Sequence, residues 1–184
     1  MRKLFRISTL AALALGATAL TAQAQKATEI TGGLIGLSTT SVSGSSVSLF
    51  QFNTGGAFAA IAFYLSPGMS IEPIFTSSHI SVSGGGGSQT SVGIGVAVPY
   101  YFKKDWGRTG AYLAPRLGWT SFSCTGCSSV TQFNLGLALG YKVPLNTMAA
   151  LRLQAAYDYG FSNADVNATS SFGFSLGLSV FLKK

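Results

Sequence analysis

The chain has 184 residues, of which 47% are hydrophobic and 9% are charged, against about 25% charged residues in typical soluble domains. Its formal net charge is +7, but Arg2, Lys3 and Arg6 supply three of the 12 basic residues, which leaves nine basic against five acidic side chains after them. This modest excess does not indicate a nucleic-acid-binding protein, and so low a charge content is unusual for a soluble one.

The first 24 residues have the layout of a secretory signal peptide. A basic start precedes an apolar run at residues 10–20, and Ala22 and Ala24 form an A-x-A pattern. The apolar run is about half of the ~20 residues that a spanning helix needs, and no later stretch is long and apolar enough for one. Gln25 follows in place of the cysteine of a lipoprotein. We expect cleavage after Ala24 and one domain at residues 25–184.

Eight segments of this domain alternate between large apolar and small or polar residues, the period of a half-buried strand. They lie at residues 30–39, 57–66, 71–78, 89–103, 111–120, 132–143, 151–161 and 171–182. The first has no clear phase, so the pattern leaves open whether Leu34 or Ile35 points outward. The second is apolar on both faces, with Ile61, Phe63 and Leu65 as a plausible outer row.

Two features disturb this simple pattern. The first connection, residues 41–54, contains the apolar run 47–52, which we expect to extend the second strand beyond the membrane, with a break at residues 53–56. Pro73 and Pro115 fall within strands, where proline removes a hydrogen bond of the ladder. We therefore expect β-bulges at both prolines.

The arrangement of the faces predicts an all-β fold: a transmembrane antiparallel up-and-down barrel of eight strands, apolar outside and polar inside. The alternative is a soluble β-sandwich or lipocalin-like barrel. Such a fold would turn the apolar faces inward and would leave an outer surface almost without charge. Connections at residues 66–68, 103–108 and 144–147 share the end that we expect to be periplasmic with both termini. Those at 41–54, 84–87, 125–126 and 163–170 are expected to be extracellular and contain no Lys or Arg.

The chain resembles the small outer-membrane β-barrel proteins of the OmpA/OmpX type. Residues 63–73, FYLSPGMSIEP, resemble the first periplasmic hairpin of that family, and residues 171–181, SFGFSLGLSVF, resemble its closing strand. The family's chains usually end on an aromatic residue, whereas here Leu182, Lys183 and Lys184 follow Phe181. The resemblance implies an outer-membrane location, contact with outer-membrane lipid and lipopolysaccharide, and assembly by the barrel-insertion machinery.

Cys124 and Cys127 flank a predicted hairpin tip. A C-x-x-C pair forms a disulfide, a redox pair or half a metal site. A zinc site needs about four ligands, and His79 is the only other Cys or His in the chain. Because export leads to an oxidising compartment, the favoured interpretation is a hairpin disulfide.

Four charged residues, Glu72, Arg116, Arg152 and Asp158, fall on inward faces. An eight-stranded barrel is just wide enough for side chains to fill, and a lone buried charge is costly. We therefore expect interior ion pairs that plug the barrel, in preference to a selective pore. Lys103 and Lys142 are expected to be solvated near the periplasmic rim.

The one catalytic candidate is His79-Ile80-Ser81, which resembles the H-x-S element of lipid A deacylases. A histidine acting as base to a serine nucleophile needs a carboxylate to orient it. Neither flanking strand, residues 57–66 or 89–103, contains Asp or Glu. We therefore expect no enzyme.

The expected function is that of an integral outer-membrane protein with a structural or interaction role, monomeric, without a cofactor, a metal or a continuous pore. A narrow porin-like channel for small solutes is the alternative, and a lipid A-modifying hydrolase that uses His79 and Ser81 is the third possibility. No nucleic-acid partner is expected.

Overall fold

The computed structural model describes residues 28–42, 45–52, 58–81, 88–124, 126, 129–162 and 167–182. In these ranges the chain forms ten strands. They are β1 (Thr28–Val42), β2 (Ser45–Phe52), β3 (Phe58–Ser66), β4 (Met69–Ser81), β5 (Ser88–Ala97), β6 (Tyr100–Tyr101), β7 (Gly110–Cys124), β8 (Val130–Pro144), β9 (Ala149–Gly160) and β10 (Thr169–Leu182). Within the described part of the chain, no helix is long and apolar enough to cross a membrane.

These strands form one closed antiparallel barrel. The strands follow one another around the sheet in the order β1, β3, β4, β5, β7, β8, β9 and β10, and β1 pairs with β10 from Thr28 and Leu182 to Val42 and Thr169, which closes the sheet. β2 and β3 pair with successive parts of β1, and β5 and β6 pair with successive parts of β7. The strands β2 and β3 therefore occupy one place in the barrel wall, and so do β5 and β6. The ten strands thus make eight wall positions, and the predicted eight-stranded barrel is confirmed.

The two faces of the wall follow the alternation in the sequence. Ile94 is 61% exposed, whereas the neighbouring Gly93 is buried. The outer surface carries large apolar residues at every wall position, including Phe75, Leu117, Leu139, Leu153 and Phe174. Because successive side chains of a strand point to opposite faces, the small and polar residues between them line the interior.

A β-bulge in β1 explains why the first strand has no clear phase. The register with β10 shifts between Gly33 and Ile35, so one extra residue enters β1 at this point. Leu34 is exposed, and Ile35 lines a shallow groove of the outer surface together with Leu37. Both residues therefore lie on the outer side, and a single alternation cannot describe the strand.

The apolar run 47–52 belongs to β2, which pairs with the second half of β1 from Val42 and Ser45 to Ile35 and Phe52. The expectation that this run extends the second strand is confirmed. The predicted first connection at residues 41–54 is wrong in its extent, because strand pairing continues to Val42 and resumes at Ser45. The break predicted at residues 53–56 lies outside the described residues.

The bulges expected at Pro73 and Pro115 are absent from the described strands. The register of β3 with β4 is the same on either side of Pro73, from Ala60 and Ile74 to Phe63 and Ile71. Pro115 keeps its place opposite Leu137, and its carbonyl accepts a hydrogen bond of 2.9 Å from the Val98 nitrogen. A missing N–H interrupts only the ladder on one side of the strand, so no shift of register is needed.

Candidate functional site

A connected set of buried polar side chains fills the barrel near the end at which the two outermost described residues, Thr28 and Leu182, pair. We call this the terminal end. The set, here called the lumen network, consists of Glu29, Thr31, Tyr64, Glu72, Tyr101, Tyr112, Lys142, Arg152 and Ser179, all buried. These residues come from β1, β3, β4, β6, β7, β8, β9 and β10. Since every one of the eight wall positions contributes, the network crosses the interior from wall to wall.

The first ion pair of the network joins Glu29 and Lys142. Lys142 Nζ lies 2.8 Å from Glu29 Oε1 and 2.6 Å from Glu29 Oε2, and both side chains are fully buried. Thr31 Oγ1 donates to Glu29 Oε1 at 2.9 Å, and the Tyr64 hydroxyl donates to Glu29 Oε2. A buried carboxylate is tolerated when such hydrogen bonds replace its hydration.

The second ion pair joins Glu72 and Arg152, whose Nη1 lies 2.9 Å from Glu72 Oε2. The Tyr101 hydroxyl connects the two pairs, because it accepts a hydrogen bond of 3.1 Å from Lys142 Nζ and donates one of 3.1 Å to Glu72 Oε1. Arg152 Nε donates to the Tyr112 hydroxyl at 2.7 Å. No buried side-chain nitrogen or oxygen of the described residues lacks a partner, so the network is fully satisfied.

A turn covers the network at the terminal end. Residues 102–109 form this turn between β6 and β7. The Trp106 backbone nitrogen donates a hydrogen bond of 3.0 Å to the Pro67 carbonyl. The Trp106 and Tyr64 rings pack edge to face, with 6.5 Å between their centroids. Gly107 has a φ of 64°, and a Cβ atom at this position would overlap the rings of Tyr64 and Tyr101. The turn therefore packs directly on the tyrosines of the network.

A third ion pair lies beyond the network, toward the opposite or far end. Arg116 on β7 donates through Nε to Asp158 Oδ1 on β9 at 2.6 Å and through Nη2 to Oδ2. The pair passes over Gly136 on β8, because a Cβ atom there would overlap the Asp158 carboxylate. Its side chains are 22% and 29% exposed, so this pair faces open space inside the barrel.

The structure thus brings the four predicted interior charges together as two pairs, Glu72 with Arg152 and Arg116 with Asp158. The prediction that Lys142 is solvated is wrong. The Lys142 side chain points inward at the level of the lumen network, where it forms an ion pair with Glu29. The Lys103 side chain, on the turn, is 66% exposed.

Glu29 is a charged residue of the lumen network that the alternation missed. The bulge between Gly33 and Ile35 obscures the phase of its strand. A usable signal was its charge, because an acidic residue inside a membrane strand faces the interior.

The remaining candidates lie at the far end of the barrel. Cys124 is the last residue of β7, but Cys127 lies outside the described residues, so the disulfide stays a prediction. His79 pairs with Thr90 and Ser81 with Ser88 in the ladder of β4 and β5, and their side chains lie outside what the structure describes. Among the described residues, no three His, Cys, Asp or Glu side chains gather in a way that could hold a metal ion.

Comparison with known proteins identifies relatives by fold. No protein-family model matches the chain, and no curated protein matches it in sequence. The solved structure of Neisserial surface protein A is similar with a TM-score of 0.62 and 16% identity, over 83% of this chain and 96% of that one.

Two further structures have the same barrel. Ail of Yersinia pestis, in complex with the heparin analogue sucrose octasulfate, has a TM-score of 0.55 and 12% identity, over 86% of this chain and 100% of that one. OprG from Pseudomonas aeruginosa has a TM-score of 0.55 and 12% identity, over 86% and 97%. The expected likeness to small outer-membrane β-barrel proteins is therefore confirmed for the fold.

Proposed function

We propose that this chain is an integral outer-membrane β-barrel protein with a structural or interaction role, and that its interior forms no continuous pore. The observation that carries the proposal is the lumen network, in which side chains from all eight wall positions meet and bury two ion pairs. A barrel of eight strands is just wide enough to be filled in this way. The turn at residues 102–109 adds a second layer at the terminal end.

The distribution of charge supports a membrane location. Of the described charged residues, all six in strands face the interior, and the other four lie on the turn at residues 102–109. Exposed aromatic side chains lie toward both ends of the outer surface, with Tyr100, Phe102 and Tyr141 at the terminal end and Trp119 and Phe161 at the far end. Transmembrane barrels carry such aromatic girdles on either side of an apolar band.

The proposal includes an orientation and a set of partners. The terminal end faces the periplasm, the far end faces outward, and the signal peptide of residues 1–24 is removed on export. The apolar band contacts outer-membrane lipid, and the outer margin contacts lipopolysaccharide. The barrel-insertion machinery assembles the protein, which then acts as a monomer without cofactor or metal.

An enzymatic role is not part of the proposal. β4, which carries His79 and Ser81, pairs with β3 and β5, and neither strand contains Asp or Glu. A carboxylate that would orient the histidine is therefore missing from both neighbours. Mass spectrometry of lipid A from cells with and without the protein is expected to show unchanged acyl chains. Shortened chains that return to full length in Ser81→Ala would establish the hydrolase instead.

The test of the closed interior is conductance in planar lipid bilayers. We expect no conductance steps from the wild-type barrel or from the double variant Glu72→Ala/Arg152→Ala, because Glu29, Lys142 and three tyrosines still fill the interior. The fourfold variant that also carries Glu29→Ala and Lys142→Ala is expected to produce steps. Each variant is first shown to be folded by its altered gel mobility before boiling. Steps of uniform size from the wild-type protein would establish the narrow channel.

A further inference from the structure

The interior beyond the lumen network is hollow. A cavity of about 850 Å³ extends from Glu72 and Arg152 toward the far end. Small inward residues leave this space, as in β5, where Gly95, Gly93 and Ser91 follow one another on the inner face. Its volume lies within the range of about 300–1,000 Å³ that is usual for small-molecule pockets.

The walls of this cavity combine apolar surface with hydroxyl and amide groups from several strands. Thr40 and Ser171 share a hydrogen bond of 2.9 Å, Ser78 and Ser91 share one of 2.7 Å, and further groups of this kind are Thr76, Thr120, Asn134 and Gln154. Hydroxyls both donate and accept, so they suit a ligand that does the same.

The charged groups of the walls cancel one another. Arg116 is paired with Asp158, and Arg152 with Glu72. A cationic or anionic ligand would therefore have to break an existing ion pair to gain its own, which selects for a ligand without net charge.

Two opposite walls present different surfaces. The planar pair of Arg116 and Asp158 covers the wall around β8, whereas the ring of Phe58 lies on β3, four positions away in the eight-membered barrel. This ring packs against the wall, because its Cδ1 lies 2.8 Å from the place of a Cβ atom at Gly33 and its Cζ lies 3.3 Å from one at Gly177. The cavity thus combines apolar surface, including the aromatic ring of Phe58, with the polar groups described above.

We propose that this cavity binds a small, neutral, polyhydroxylated molecule of the sugar class. A sugar ring presents hydroxyls at its edges to the Ser, Thr, Asn and Arg–Asp groups, and its C–H face to Phe58. A site built from hydrogen-bonding groups discriminates strongly against analogues that lack the partners. Because the lumen network closes the cavity toward the terminal end, the ligand enters from the far end. The proposal rests on the closed interior of the proposed function and adds a ligand to it.

The test uses the full mature chain refolded in an amine-oxide detergent, which has no sugar headgroup. Glucose and maltose are the probes, glucosamine and glucuronate the charged analogues, and cyclohexanol the apolar one. Saturation-transfer NMR detects binding, and titration calorimetry measures its strength. We expect binding of the neutral sugars, with each of the other three compounds at least about tenfold weaker. The two charged analogues would have to break an existing ion pair, and cyclohexanol lacks most of the hydroxyl groups that could form hydrogen bonds.

Two substitutions on neighbouring strands separate the cavity from the outer surface. Thr120→Phe fills the cavity and is expected to weaken sugar binding at least about tenfold, whereas Thr131→Phe places the same ring on the exposed outer face and leaves binding within about twofold. The double variant Arg116→Met/Asp158→Asn, which keeps the wall neutral, is expected to weaken binding as Thr120→Phe does. Gel mobility before boiling shows that each variant is folded.

Absence of saturation transfer from both neutral sugars at millimolar concentration would overturn the proposal, as would equal binding by the two phenylalanine variants or a preference for cyclohexanol. Failure of this proposal is distinct from failure of the closed interior, which is read from conductance. If the barrel conducts and also binds sugars, the sugar-binding proposal stands and the closed interior is overturned. If it neither conducts nor binds sugars, the closed interior stands and the sugar-binding proposal is overturned.

Discussion

Glu29 and Lys142 are 113 residues apart in the sequence, yet Lys142 Nζ lies 2.6 Å from Glu29 Oε2 inside the closed barrel. The pair joins β1 to β8 across the two strands β10 and β9 that separate them in the wall. It therefore forms only when the barrel closes, and it is buried at the point where the first and last strands meet.

Breaking this pair is expected to destabilise the barrel. Lys142→Met or Glu29→Gln alone leaves the partner charge buried without its opposite charge and should cost about 3–5 kcal/mol, whereas the double variant should recover most of that loss. The measurement is urea-induced unfolding in detergent micelles. Lys103→Met is the control, because its exposed pair with Asp105, at 3.7 Å, should contribute about 1 kcal/mol or less. Equal losses in the single and double variants would show that the charges are not coupled.

The Arg116–Asp158 pair depends on the absence of a side chain at Gly136. Gly136→Ala places a Cβ atom on the Asp158 carboxylate, and we expect it to destabilise the barrel by about 1–3 kcal/mol. Gly32→Ala is the matched control, because no atom lies within 4 Å of the added Cβ, and its effect should stay within about 0.5 kcal/mol. Thermal unfolding of both variants in the same detergent decides the question. Similar midpoints would mean that the ion pair accommodates the methyl group.

At the turn of residues 102–109, the effect of side-chain packing on stability can be separated from the effect of backbone strain. Gly107 and Gly126 both have positive φ, 64° and 81°, but only a Cβ atom at Gly107 meets other residues, the rings of Tyr64 and Tyr101. Gly107→Ala should therefore lower the free energy of unfolding by about 1–3 kcal/mol more than Gly126→Ala, which carries the strain alone. Unfolding curves of the two variants, recorded side by side, supply the comparison. A matching loss would mean that the turn does not pack on the tyrosines.

A charge on the outer band tests the membrane assignment. Leu137 is exposed at 48% near the middle of β8, and Leu137→Arg should cost about 2–4 kcal/mol, whereas Thr131→Arg near the end of the strand should cost about 0–1 kcal/mol. Folding into lipid vesicles is followed by the mobility difference between boiled and unboiled samples on a denaturing gel. If both variants fold equally well in vesicles and the wild-type protein shows no mobility shift, the outer face is not a lipid-contacting surface.

The predicted disulfide between Cys124 and Cys127 is open to a direct chemical test. The protein from an outer-membrane fraction, unfolded without reductant, should take up no iodoacetamide, and it should take up two equivalents after reduction. Because the bond closes a very small ring, Cys124→Ser/Cys127→Ser should change the stability only modestly. Labelling without reductant would favour the reactive pair or a metal ligand.

The sequence by itself determined the architecture. Alternation with a period of two is a local property of the chain, so it assigned Leu135, Leu137 and Leu139 to the outer face and Glu72, Arg116, Arg152 and Asp158 to the inner face without any tertiary information. The number of alternating segments also predicted the eight wall positions. Local patterns fell short where the backbone departs from regular pairing, and the bulge beside Leu34 therefore concealed the inward position of Glu29.

Only the tertiary structure decided which inner residues meet, and how deeply they lie. Glu72 on β4 meets Arg152 on β9, and Lys142 on β8 meets Glu29 on β1, although none of these strands are neighbours in the wall. Such contacts depend on the stagger of the strands and on closure between β1 and β10. Both are non-local properties, so they cannot be read from the spacing of residues along the chain. The alternation shows that Lys142 points inward, but its burial follows from the tyrosines and the carboxylate that closure brings around it.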